Sequence, residues 1–136
     1  MIENEVVKIF KVKGQKQGKL LNELTDEFRS GRNPWELVRL IDSDNRGLIE
    51  VGIYIIREII IENDDLIEVI IIRLYQLIRH VDKSIRHYSF LLLGSILKEK
   101  GSNQEIGLYK KMLLDNDKFI RKTAQRLLDN GYLGSV

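Results

Sequence analysis

From Leu20 onward the apolar residues recur at helical spacing. Leu20, Leu21, Leu24 and Phe28 lie on one helical face, and Ser30-Gly31-Arg32-Asn33-Pro34 ends that segment. Asn33 followed by Pro34 is an N-cap with proline at the first helical position, so a new helix is predicted over 34–41. The same alternation of apolar stripe and polar turn predicts helices near 46–61, 65–80, 83–100, 104–114 and 118–130. Asp64, Asp82, Asn103 and Asp117 are the expected N-caps, and Gly101 and Gly131 the expected stops. The β-branched runs Ile53-Tyr54-Ile55-Ile56 and Val69-Ile70-Ile71-Ile72 have strand propensity, but each sits inside a segment of helical length and is read as helix. Val6 to Lys13 reads as a short strand or a frayed helix, and Gly14 to Lys19 as a flexible turn. The fold class is all-α.

One segment occurs twice, 35 residues apart: Asp82-Lys83-Ser84-Ile85-Arg86 and Asp117-Lys118-Phe119-Ile120-Arg121. A degraded third copy stands 36 residues upstream, where Ile49-Glu50 is in register with Ile85-Arg86 behind the turn from Asp42 to Gly47. Such a period marks stacked helical units that bury each other's apolar faces. The Asp can accept the orphan amide hydrogens at the start of a helix, where its charge also suits the dipole. The Arg, one turn inside, can reach the acidic turn of an adjacent unit.

This pattern resembles the HEAT-repeat family over roughly residues 34 to 130. The resemblance implies a short right-handed α-solenoid of about three helical hairpins plus an N-terminal segment, in one domain spanning 1–136. It also implies that Asp82, Asp117, Arg86 and Arg121 form an Asp–Arg ladder between repeats. The first unit departs from the pattern, because Glu50 takes the arginine position and Arg46 that of the turn aspartate. The stretch 34–59 further resembles small stand-alone bacterial HEAT-like proteins, some of which are immunity proteins for secreted toxins.

Composition narrows the class without naming a partner. Charges such as Arg57, Glu58, Glu62, Asp64, Asp65, Glu68 and Arg73 interrupt the apolar region, so no stretch reads as a membrane span. With no cysteine in the chain, disulfides and thiolate metal sites are unavailable, and a cytoplasmic location is expected. The net charge of +2 hides a polarity along the chain. Residues 1–19 carry five lysines and two acids, residues 20–70 five arginines and twelve acids, and residues 71–136 twelve bases and six acids. The blocks are therefore +3, −7 and +6.

Candidate chemistry is thin. Asp42 to Gly47 begins like a calcium loop, but Arg46 and Ile53 stand where ligands are required. Gly14 to Leu20 imitates a phosphate-binding loop without the needed spacing or hydroxyl. His80 and His87 straddle a turn and make no metal pair on one helix. No catalytic constellation, cofactor or metal is expected. If Ile49, Ile85 and Ile120 point into the core, the groove receives Glu50, Tyr54 and Glu58, then Arg86, His87 and Phe90, then Arg121, Lys122 and Gln125. Two function classes follow. In the first, a monomeric protein-binding module covers a basic partner with Glu50, Tyr54, Glu58, Asp64, Asp65 and Glu68, with a toxin-immunity role as its most specific form. In the second, Lys110, Lys111, Lys118, Arg121, Lys122 and Arg126 bind nucleic acid, which the large acidic block disfavours. An adaptor or assembly role is a third possibility.

Overall fold

The computed structural model describes the backbone of residues 1–134 and side chains through Asn130. Among the described residues every regular element is a helix: α1 (Ile2–Phe10), α2 (Gln15–Arg29), α3 (Glu36–Ile41), α4 (Arg46–Glu58), α5 (Asp64–Leu77), α6 (Lys83–Glu99), α7 (Gln104–Met112) and α8 (Lys118–Gly134). Both β-branched runs are helical, in α4 and α5, because burial of the stripes overrides local propensity. The chain forms two compact units, Met1–Arg73 and Leu74–Val136, with the division inside α5.

In the first unit α3 packs on α4, and α1 packs against α2, α3 and α4. The expectation of a strand or frayed helix followed by a flexible turn at the N-terminus is corrected here. Ile2, Val6 and Ile9 recur at i, i+4 and i+7, and all three are buried, so α1 is an amphipathic helix held by its core face. Gly14, at φ 75°, turns the chain and α2 begins at once. Gln17 then donates its side-chain amide to the Val12 carbonyl at 2.9 Å, closing the corner. Gly52 lets α4 approach α3 closely, since a Cβ there would lie 2.8 Å from Ile41 Cγ2 and 2.9 Å from Leu40 Cβ.

The second unit packs α6 on α7 and α7 on α8. Its core contains Ile85 and Ile120, the residues whose recurrence defines the repeat, both buried as expected. Phe90 is fully buried and meets Tyr109 edge-on at 5.9 Å, so it lies in the core and not on a groove. Burial, followed by the hydrogen bond its hydroxyl donates to Glu105 Oε1 at 3.0 Å, raises the Tyr109 pKa above that of an ordinary phenol.

Helix ends follow the sequence signals in part: α3 begins at Glu36 and not at Pro34, with Asn33 Oδ1 accepting from the Trp35 amide at 3.1 Å. Asp82 Oδ1 accepts from the Ser84 and Ile85 amides at 2.8 and 3.2 Å, and Asp117 Oδ2 from the Ile120 amide at 3.0 Å, as the N-cap reading requires. At α5 the cap is Asn63 and not Asp64, with Asn63 Oδ1 accepting from Leu66 at 3.0 Å, which leaves Asp64 in the first turn. At α7 the Asn103 side chain makes no capping bond, and Ser102 Oγ accepts from the Gln104 amide instead. Gly101 ends α6 at φ 66°, with Ser102 N–H donating to Leu97 O and Gly101 N–H to Lys98 O. Gly131 does not stop α8, which continues to Gly134, since a helix interior tolerates glycine at a cost of about 1 kcal/mol.

Candidate functional site

The carboxylates of the first unit divide into those held by arginine and those left to solvent. Arg32 donates to Glu5, Glu27 and Glu36 and lies over the Phe28 ring at 5.1 Å, tying α1, α2 and α3 together. Its hydrogen bonds hold the Glu5 and Glu36 carboxyls below the usual range. Arg39 likewise holds Glu3, at 3.0 Å. Glu27 and Glu36 of the −7 block are therefore scaffold charge, as are Glu3 and Glu5 of the block before it.

Glu50, Tyr54 and Glu58 recur at i, i+4 and i+8 along α4, as the sequence placed them. Each is engaged within the unit. Arg46 Nε pairs with Glu50 at 3.1 Å, so the charge-reversed first unit keeps its two ions in contact within one helix. Tyr54 Oη donates to Asn22 Oδ1 at 3.3 Å, and the Arg57 guanidinium lies 5.4 Å above its ring. Glu58 receives Arg57 at 3.4 Å and Arg29 at 3.7 Å. In contrast, Asp64 and Asp65 are exposed at the start of α5 and enter no ion pair among the described residues. Glu68 lies one turn on, on the Asp64 and Asp65 side of the helix.

Sequence reasoning missed the segment that leads into these acids. Helix α4 stops at Glu58, earlier than expected, and Ile59 is extended (φ −119°, ψ 163°). Ile60 consequently stands 91% exposed, beside the solvated Glu62, Asp64 and Asp65. The signal that could have found it is the run Ile59-Ile60-Ile61, separated from the Asn63 cap by Glu62 alone: three β-branched residues just ahead of a helix start favour an extended connection.

In the second unit Arg86 and Arg121 serve the scaffold, while the lysines and Arg126 face water. Arg86 binds Asp115 and Asn116, and Arg121 Nη1 donates to the Asp115 carbonyl at 2.8 Å. Neither is a groove residue. Lys110, Lys111, Lys118, Lys122 and Arg126 are exposed, as is Gln125, which bonds Asp129 at 2.9 Å. His87 stacks on Phe119 (centroids 5.1 Å apart, planes at 26°), and burial lowers its pKa, an effect opposed by nearby Asp117 and reinforced by Arg126.

Among the described residues no cluster of three or more His, Cys, Asp or Glu could hold a metal ion. No described helix is long and apolar enough to cross a membrane. No protein-family model, curated protein or solved structure matches the chain.

Proposed function

We propose that this chain is a protein-binding module that acts stoichiometrically, by covering a basic surface of its partner with the segment from Ile60 to Glu68. The observation that carries this reading is Ile60, 91% exposed next to Glu62, Asp64 and Asp65, three carboxylates that pair with no arginine among the described residues. A large aliphatic residue offered to water among unpaired acids combines an apolar anchor with long-range attraction, the two elements of fast and selective association. Glu50, Tyr54 and Glu58 join the surface as its arginine-braced flank. A HEAT-like stack suits such a role, and the Asp–Arg contacts of the second unit support that architecture. The most specific form of the proposal is an immunity protein that occludes a basic toxin domain.

Nucleic-acid binding is the second reading, favoured by the exposed Lys110, Lys111, Lys118, Lys122 and Arg126. It is weakened by Arg121, which is committed to the Asp115 carbonyl. Capture from cells with the tagged protein, and with a variant carrying Glu62→Lys, Asp64→Lys and Asp65→Lys, separates the two. A basic protein retained by the unmodified chain and lost by the variant supports the proposal. Equal capture by both forms, or nuclease-sensitive capture alone, contradicts it.

A further inference from the structure

We propose that the second unit carries a separate docking pocket, at the start of α6 and α8, for an acidic peptide segment that inserts one aromatic side chain. The pocket is an open cleft of about 290 Å³ lined by Lys83, Ser84, His87, Tyr88, Asp117 and Phe119, with Ile120 at its base. That volume is at the lower limit for drug-sized ligands, so it fits a single large side chain.

Three independent features point to an occupant. Phe119 and Tyr88 are 66% and 46% exposed and line the same concavity, whereas single apolar residues scattered on a surface would need no explanation. His87 makes a rigid wall: it stacks on Phe119 and meets Tyr88 edge-on at 5.9 Å. The pocket is also preorganised. Arg86 bonds the carbonyls of His80 and Val81 on one side and Asp115 and Asn116 on the other, fixing the two turns from which Lys83 and Phe119 project.

Charge selects the occupant. Lys83, Lys118, Lys122 and Arg126 are exposed and enter no ion pair among the described residues. Asp117, the carboxylate in the lining, is engaged in capping the Ile120 amide. Lys83 in the lining and the exposed cations of α8 set positive charge beside an aromatic centre, which complements an aromatic residue flanked by acids. This surface is independent of the acidic segment in the first unit.

The test is a two-dimensional NMR titration of the full chain with three short probe peptides: polyglutamate with one central phenylalanine, the same with alanine at the centre, and polylysine with the central phenylalanine. The expected result is saturable shifts at Ser84, His87, Tyr88 and Phe119 with the first peptide. Binding should be weaker by about tenfold with the alanine peptide and absent with the lysine peptide. Phe119→Ala and Lys83→Glu, each checked for an unchanged helical spectrum, should each weaken the first peptide by at least about tenfold. Four results overturn the proposal: no saturable shift at these residues, equal binding of the alanine or lysine peptide, tighter binding there of a single-stranded oligonucleotide, or shifts that change with protein concentration alone.

Discussion

Arg86 and Asp115 form a bidentate ion pair, Nε to Oδ2 at 3.0 Å and Nη2 to Oδ1 at 3.2 Å, with side chains only 12% and 8% exposed. The pair joins the first turn of α6 to the turn before α8. Asp115 Oδ1 accepts in addition from the Asp117 amide at 2.9 Å, so the acid that receives the arginine also shapes the start of the next helix. Breaking such a pair leaves a buried charge uncompensated, a loss of roughly 3–5 kcal/mol. Arg86→Ala is therefore expected to lower the urea midpoint sharply with little change in slope. Arg86→Lys should recover only part of the loss, because an ammonium cannot reproduce the bidentate fork.

Arg121 occupies the equivalent repeat position but makes a single bond, to the Asp115 carbonyl. Arg121→Ala is expected to destabilise by about 1–2 kcal/mol, less than Arg86→Ala, and to leave binding through the acidic segment untouched. Equilibrium denaturation of both variants gives the order directly.

Gly52→Ala tests the packing of α4 on α3. The added Cβ would press on Leu40 Cβ and Ile41 Cγ2, atoms close to their own backbones that cannot simply swing away. A loss of about 1–3 kcal/mol is expected from this overpacking, although alanine is the better helix former. A stability gain, read in a thermal melt, would show that α3 and α4 are less closely apposed.

The His87 imidazole gives the fold a pH dependence. Burial depresses its pKa from the ordinary 6.5, so the unfolded chain takes up this proton first as the solution is acidified. Its contribution is fully present above the unfolded value and is lost as pH falls through the folded one. Stability should accordingly decline as the pH falls below the ordinary imidazole value of 6.5, and His87→Phe should flatten part of that decline. Melting temperatures of both proteins across this range provide the comparison.

Several features were legible in the sequence because they are set by neighbours in the chain. Asp82 and Asp117 cap helices through bonds to amides two or three residues away, and the helical stripes of α4 to α8 outweighed their β-branched residues. The reach of Arg86 into an acidic turn was readable from the repeated Asp-to-Arg spacing, but the acid it meets is Asp115, because Asp82 and Asp117, the acids expected in the ladder, cap helices instead. What escaped depends on distant partners. Val6 and Ile9 have strand propensity until α3 and α4 offer their helix a face, and Phe90 is interior because Tyr109 lies against it. The acidic block could not be divided from sequence into scaffold and surface, since pairs such as Arg29 with Glu58 and Arg73 with Asp42 join residues far apart in the chain. The exposure of Ile60 likewise depends on where α4 ends.

The most direct test of the acidic surface is the association rate of the captured partner, measured over a range of salt for the unmodified protein, for the Glu62→Lys, Asp64→Lys, Asp65→Lys variant and for Ile60→Asp. The account expects a rate that falls steeply with added salt, a slower and nearly salt-independent rate for the charge-reversed variant, and faster dissociation for Ile60→Asp, with all three proteins equally folded. A salt-insensitive rate that the charge reversal leaves unchanged, with dissociation unaffected at Ile60, would contradict it.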